Sequence, residues 1–324
     1  MGFSIRPTEP AGEEVCRVLQ EQVSSALEHL RNPDAAGGTD VAVHEARKSC
    51  KRLRAVYRLV RPGLSANRYQ TLNHTVRDAA RELSGARDAK ALVDMFGDLL
   101  TAHRADPSEE ELRVVKAALQ DRAEAVEDDG GSEGALRRAT ERLELVAELT
   151  ARTNLRGRGF EVLRKGLQAT YGDGHHALRR FRAELSPELS HEWRKSVKYT
   201  WHHVELLEKT APSVLTPLAR SLHDLSDALG DAHNLAVLSD LVTDHPTRFG
   251  GPATVDRVAK MAADCRADLE HRAVRLGLRI YAESPKAFGR RVAGYWAAAC
   301  DGPELATGEL ADVVQGDQED GPAR

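Results

Sequence analysis

The chain has 324 residues, of which 46 are Lys or Arg and 50 are Asp or Glu, so its net charge at pH 7 is only −4. No stretch approaches the roughly 18 consecutive apolar residues of a membrane span, and residues 1–12 lack the apolar run of a signal peptide. The four cysteines are scattered and form no C-x-x-C pair, a pattern that indicates neither a disulfide framework nor a zinc knuckle. We therefore expect a cytoplasmic protein, and the abundance of Ala, Leu, Glu and Arg favours an all-α fold.

Apolar periodicity and breaker residues predict six helices in the first half of the chain. Proline or glycine pairs interrupt the apolar pattern between them, and the Asp-Asp-Gly-Gly run at 128–131 is the expected flexible joint. The predicted helices cover residues 11–31, 40–61, 66–84, 87–104, 108–127 and 133–152.

The same signals predict six further helices, three of which have proline at an early helical position. They cover residues 159–183, 187–209, 213–229, 232–244, 253–282 and 285–299. Residues 301–324 follow with seven Asp or Glu against one Arg and few large apolar side chains. This composition predicts a disordered acidic tail, which could occupy a basic site until a ligand displaces it.

An internal repeat is the main organisational signal of the sequence. Residues 44–51 and 191–198 both read H-E-x-R-K-S-x-K, and downstream the segment 83–88 stands in register with 229–234 to within one residue. The repeat predicts two helical bundles related by an approximate two-fold axis. The predicted divisions are an N-terminal extension at 1–9, a first bundle at 10–128, a linker at 129–134, a second bundle at 135–300 and the tail at 301–324.

The helix that carries the first copy has a strongly cationic polar face. Residues 44–61 contain seven Lys or Arg and one acidic residue. Like charges on one face destabilise a helix, so we expect a ligand to supply the counter-charge. At 1.5 Å per residue the face is about 21 Å long, enough to follow several phosphates of an extended polyanion. At about 100° per residue, its members are His44, Arg47, Lys48, Lys51 and Arg58, with Arg54 at the edge.

The second copy is shorter and less basic. Tyr199, Trp201 and Glu205 stand where the first copy has Arg52, Arg54 and Arg58. Its candidate ligand-binding residues are His191, Arg194, Lys195, Lys198 and His202. Weaker candidates elsewhere are Arg77, Arg81, Arg87, Arg164, Lys165, Arg179, Arg220 and His223.

These ordered motifs closely resemble the conserved histidine α-helical domain, or CHAD, over about residues 10–300. The resemblance implies two pseudo-symmetric antiparallel four-helix bundles around a basic central cavity that binds inorganic polyphosphate, and in some members an association with polyphosphate granules. The family usually has Arg at Tyr199 and Trp201 and Asp at Asn234. The matching positions are His44, Arg47, Lys48, Lys51, Arg52, Arg54, His191, Arg194, Lys195 and Lys198.

Three other functions compete with polyphosphate binding. A nucleic-acid binder would also contact phosphates, but the aromatic residues Tyr57 and Trp193 are expected on the core side, away from any base. His223, Asp224 and Asp227 could hold a metal in a phosphohydrolase, although further ligands are not identifiable. A di-iron bundle needs Glu-x-x-His on two helices, and only one such motif is present. We therefore expect a non-enzymatic protein without cofactor or metal, and the sequence indicates no protein partner.

Overall fold

The computed structural model describes residues 3–106, 109–128, 131–155, 157 and 159–301, which form eleven α-helices and no strand. The all-α prediction is confirmed. The helices are α1 (Ala11–Arg31), α2 (Thr39–Leu59), α3 (Ala66–Glu82), α4 (Gly85–Ala102), α5 (Glu110–Asp128), α6 (Gly131–Ala151), α7 (Glu161–Ala183), α8 (Pro187–Leu207), α9 (Pro212–Asp244), α10 (Pro252–Ile280) and α11 (Pro285–Cys300). Within the described ranges no helix is long and apolar enough to cross a membrane. Residues 302–324 of the predicted tail lie outside the described residues.

The first group of helices consists of α1, α2, α3 and α6, each of which packs against the next around a closed ring. The fully buried Tyr57 of α2 shares a hydrogen bond with Thr150 of α6, with 2.6 Å between the two hydroxyl oxygens. The predicted bundle boundaries are therefore wrong here. Residues 131–151 had been divided between the linker and the second bundle, but their apolar face completes the first group.

The second group consists of α7, α8, α9 and α10, with α11 packed on the outer side of α7. Tyr171 of α7 stacks on Phe288 of α11 and donates a hydrogen bond to the carbonyl of Ile280 at 2.7 Å. A single hydrophobic core runs through both groups. The N-terminal segment also joins this core, because Ile5 is fully buried and its backbone N–H donates to Leu206 of α8 at 2.9 Å.

Helices α4 and α5 form a hairpin that leaves the first group. Phe96, Leu112 and Val115 of the hairpin pack with Leu238 and Val258, on the distal parts of α9 and α10, in a separate hydrophobic cluster. The prediction had placed these helices in the first bundle. The hairpin instead buries its apolar face against the second group.

Helix α9 is continuous across the break predicted between residues 229 and 232. Gly230 lies inside the helix and is buried. An interior glycine costs a helix about 1 kcal/mol relative to alanine but does not end it. The packing of buried neighbours such as Leu229 and Ala232 on both sides of Gly230 keeps the helix intact. The two-fold relation between the sequence repeats stays a prediction.

Candidate functional site

Helices α2 and α8 pack against each other, so the two H-E-x-R-K-S-x-K segments are neighbours in the fold. Both helices are amphipathic. Cys50 and Leu53 of α2, and Trp193 and Val197 of α8, are fully buried. Because apolar residues at this spacing occupy one face of a helix, the basic residues of each motif lie toward the opposite face.

Basic residues of both helices converge on Lys198. Its side chain is only partly exposed, and no hydrogen bond or ion pair joins its ammonium to a described residue. Burial is the main cause that lowers the pKa of Lys198 from 10.5 to about 7, and the positive charges of Arg194, Lys51 and Arg47 lower it further, while Asp227 opposes them. We call Arg47, Lys51, Arg194 and Lys198 the cation cluster.

Two histidines border the cation cluster. The rings of His191 on α8 and His233 on α9 lie 4.7 Å apart between centroids. Burial, followed by the neighbouring positive charges, lowers the pKa of both rings, so both are largely neutral at pH 7. The buried Nδ1 atom of His191 has no hydrogen-bond partner among the described residues. His44, which heads the first motif, is instead exposed.

His233 was missed as a site residue in the sequence, although the repeat contained a signal for it. In the predicted register of residues 83–88 with 229–234, His233 aligns with Arg87, which was a candidate. A basic residue at the same place in both copies could have indicated a role. Only the packing of α9 on α8 shows that this place borders His191.

The arginine of each motif is positioned by equivalent segments. Arg47 donates a hydrogen bond from Nη1 to the carbonyl of Leu83 at 2.8 Å. The guanidinium of Arg194 packs against Gly230, where a Cβ atom would lie 2.8 Å from Nη2. Leu83 aligns with Leu229 in the sequence repeat, one residue before Gly230, so the two arginines contact adjacent positions of the repeated segment. Gly230 thus permits the close approach of Arg194 and does not form a turn.

The lysine beside each arginine is neutralised within its own helix. Lys48 forms an ion pair with Glu45, three residues earlier, at 3.2 Å. Lys195 forms the same pair with Glu192. The glutamate that follows the histidine in both motifs therefore supplies a local counter-charge on a face that was predicted to be almost free of acids.

Two further candidates on α2, Arg58 of the predicted face and Arg52 from the family resemblance, are also paired, which corrects the expectation that a ligand supplies their counter-charge. Arg52 forms an ion pair with Glu205 of α8. Arg58 contacts Asp173 of α7 at 2.6 Å, and its guanidinium lies 4.9 Å from the centre of the Tyr199 ring. The acids come from helices remote in the sequence, which a projection of α2 alone could not include.

The prediction that His202 lies on the basic face is wrong. Only 4% of its surface is exposed, and its Nδ1 atom lies 3.0 Å from the carboxylate of Glu205. Burial is the first cause that lowers the pKa of His202, ahead of the opposing effect of Glu205. Arg54, at the edge of the predicted face, donates to the side-chain oxygen of Asn73 at 3.0 Å. Both residues therefore make intramolecular contacts outside the cation cluster.

The weaker candidates are scattered over the structure. Arg77 pairs with Asp78 at 3.0 Å, Arg164 with Glu161 at 2.8 Å and His223 with Asp227 at 2.8 Å. Arg81, Lys165, Arg179 and Arg220 are exposed, and the side chain of Arg87 lies outside the described residues. In the part of the chain that the structure describes, no three His, Cys, Asp or Glu side chains converge as a metal site would require.

Comparison with known proteins gives one family and two similar structures. The family described as "CHAD domain" matches residues 17–243. The crystal structure of the CHAD domain from the plant Ricinus communis is 20% identical, covers 84% of this chain and 93% of its own, and superposes with a TM-score of 0.59. PptA from Streptomyces chartreusis is 16% identical, with coverage of 84% and 99% and a TM-score of 0.59. No curated protein matches. At these identities the two structures support the fold alone.

Proposed function

Because the chain belongs to the CHAD domain family, which is associated with polyphosphate binding, we propose that it binds inorganic polyphosphate through the cation cluster. His191 and His233 would add hydrogen-bond donors at the border of this site. The cluster draws on both sequence motifs, so an extended anion lying across it would contact α2 and α8 together.

The unpaired ammonium of Lys198 is the observation that carries the proposal. A partly buried charge is unfavourable unless it has a partner, and here the nearest charges include three further cations. An intramolecular ion pair would remove this cost, as it does for Arg52 and Arg58. The fold leaves Lys198 without one in the described residues, and a polyanionic ligand would supply the missing counter-charge.

Polyphosphate fits this site better than nucleic acid does. Single-stranded nucleic acids are bound by aromatic rings that stack on the bases as well as by cations that contact phosphates. Tyr57 of α2 and Trp193 of α8 are fully buried on the opposite side. Tyr199 and Trp201 of α8 are partly exposed, but the Tyr199 ring is covered by Arg58 and the Trp201 ring packs against His202 and His223. The cluster offers cations to phosphate oxygens and no stacking platform, and its mixture of Arg and Lys suits a chain without fixed register.

We further propose that the protein acts by binding, without catalysing a reaction, and that it works in the cytoplasm. Binding of long chains would associate the protein with polyphosphate granules wherever these form.

Calorimetric titration with long-chain polyphosphate, at two salt concentrations, tests the proposed function. The variant Lys51→Ala/Arg194→Ala removes one cation of the cluster from each helix. Charge-assisted hydrogen bonds contribute about 1.5–3 kcal/mol each, so the loss of two should lower the affinity at least about 100-fold. Wild-type affinity should also fall steeply with salt, because phosphate binding releases counterions.

The variant Lys48→Ala/Lys195→Ala is the matched control, since it removes the same charge from the same two helices. Both lysines are already paired with glutamates, so we expect a loss of at most about threefold. Absence of binding by the wild-type protein would refute the function. Equal losses in the two variants would refute its assignment to the cation cluster. Tighter binding of single-stranded DNA at matched phosphate concentration would favour the nucleic-acid alternative.

A further inference from the structure

A second group of cations lies on α7 and α10, outside the cation cluster. Residues 175–182 contain three arginines and two histidines, and residues 271–282 contain three arginines and one histidine, with no acidic residue in either segment. All six of these arginines are exposed, and within the described ranges no side chain of the six has a hydrogen bond or an ion pair. We call the three on α10, Arg272, Arg275 and Arg279, the arginine face.

The packing of α7 on α10 brings the two segments side by side. Gly174 leaves no room for a Cβ atom against Tyr281, and a Cβ atom at Gly277 would lie 3.3 Å from the side chain of Leu178. Residue numbers that rise along α7 therefore meet numbers that fall along α10, so the helices are antiparallel. By this register Arg179 and Arg182 are level with residues near 276 and 273, which are the turns that carry the arginines of α10.

The helical positions also place the arginines of α10 away from the core. Gly277 faces Trp193 of α8 and Leu178 of α7. Relative to Gly277, the arginine face projects within about 40° of the opposite direction at 100° per residue, so it points away from both of these helices. Its three arginines span about 10 Å along the axis at 1.5 Å per residue. Unpaired like charges this close repel one another, and no carboxylate among the described residues lies within ion-pair distance of them, whereas Arg257 and Arg266 on the same helix are paired.

The arginine face is a neighbour of the cation cluster but is separated from it by acids. The carboxyl of Asp231 on α9 is affected by Arg194 of the cluster and by Arg272 of the arginine face. Asp227 and Asp98 also act on Asp231, and burial is the first cause that raises its pKa. A short anion therefore has two separate basic surfaces available, whereas a long and flexible polyanion can reach both past the acidic boundary.

We propose that the arginine face is a second polyphosphate-binding surface, which holds a distal stretch of the same long chain that occupies the cation cluster. The inference rests on the proposed function. Arginine binds phosphate oxygens with a planar fork of donors, and the described segments 175–182 and 271–282 hold no exposed Phe, Tyr or Trp that could stack on a base. Occupation of two linked surfaces raises affinity by effective concentration, so binding should depend on chain length.

The test compares tripolyphosphate with polyphosphate on the order of 100 units long, because only the longer chain can reach both surfaces. Calorimetry of the full chain measures both affinities for the wild type and for Arg275→Ala/Arg279→Ala. We expect the variant to bind the long chain about tenfold more weakly and to bind tripolyphosphate at the cluster as the wild type does. The control Lys116→Ala/Lys260→Ala removes two exposed lysines elsewhere and should leave both affinities unchanged.

Each outcome separates this inference from the function on which it rests. If the wild type binds polyphosphate and the arginine variant keeps the wild-type length dependence, the second surface is refuted and the cation cluster is not. If the arginine variant loses affinity for both lengths equally, the second surface is also refuted, because the loss is then not specific to chains that reach it. If the wild type binds neither length, the proposed function itself is refuted, and this inference with it.

Discussion

Replacing Lys198 with methionine should stabilise the free protein while weakening its binding to polyphosphate. The pKa of Lys198 is lowered from 10.5 to about 7, chiefly by burial. Each pKa unit corresponds to about 1.4 kcal/mol, so the ammonium costs the fold on the order of 4 kcal/mol at pH 7 compared with an exposed lysine. Methionine keeps most of the stem but carries no charge. We expect about half of this cost to be recovered, on the order of 2 kcal/mol.

The pH dependence of this gain follows from the direction of the shift. Between about pH 7 and pH 10.5 the unfolded chain keeps the Lys198 proton and the folded chain has lost it, so the stability of the wild type rises with pH. Methionine does not titrate. The advantage of Lys198→Met should therefore be largest at pH 7 and below, and should disappear as the pH approaches 10.5.

Urea unfolding at about pH 7 and about pH 10 measures the stability effect, and calorimetry with polyphosphate measures binding, which should weaken at least about tenfold. Lys51→Met is the matched control, because Lys51 holds the same motif position but is exposed. Its effect on stability should stay within about 0.5 kcal/mol. If Lys198→Met destabilises the protein at pH 7, or stabilises it equally at both pH values, the buried-cation argument is wrong.

Three further predictions concern the surroundings of the cluster. Polyphosphate affinity should rise as the pH falls below about 6.5, because bound phosphate favours the protonated rings of His191 and His233, whose pKa is lowered in the free protein. Calorimetry that shows no change of affinity with pH would contradict this. Gly230→Ala should weaken binding severalfold by displacing Arg194, even though alanine favours the helix by about 0.5–1 kcal/mol; unchanged affinity alongside a raised Tm would contradict it. Deletion of residues 303–324, which hold six acids against one Arg, should raise apparent affinity at low salt, and an unchanged affinity would exclude competition by this segment.

The cation cluster could be predicted because its information is local. Arg47, Lys51, Arg194 and Lys198 were all candidates, since each occupies a motif position on the face opposite an apolar stripe. A helical projection shows on which side of its own helix a residue lies. It does not show which residues of a second helix pack against that side. The burial of Lys198, which distinguishes it from the equivalent Lys51, depends on tertiary packing and is absent from the pattern.

The ion-paired arginines of α2 show the same limit of a single-helix projection, which here omits the acidic partners of a cation. Arg58 looked equal to the cluster residues on the projection of α2, and Arg52 was a candidate through the family resemblance. Their partners Glu205 and Asp173 are more than a hundred residues away in the chain and become neighbours only through the packing of α2 on α8 and α7. A count of acids along one helix therefore overestimates the charge available to a ligand.

The grouping of the helices was less predictable than the helices themselves. Periodicity indicates where an apolar face lies but not which face will cover it. The acidic and glycine-rich run at 128–131 indicates an interruption, yet the helix that follows it packs with α1 and α3. Likewise Leu-Gly-Asp at 229–231 is a typical break signal, and burial of its neighbours overrides it.

The cations of the cluster stay close together only if α8 is held firmly in place, and the packing of its apolar side holds it. Trp193, one residue before Arg194, is fully buried, packs on Phe181 and lies so close to Gly277 that a Cβ atom there would be 2.5 Å from its ring. This packing fixes the rotation of α8 about its axis, so Lys198 stays partly buried beside the other cations until an anion binds. A ligand that binds only the folded state stabilises it by mass action. A bound polyanion would also remove the unfavourable free energy of the unpaired Lys198 ammonium. Polyphosphate should therefore raise the Tm of the wild type by more than it raises that of Lys198→Met, even when both proteins are saturated.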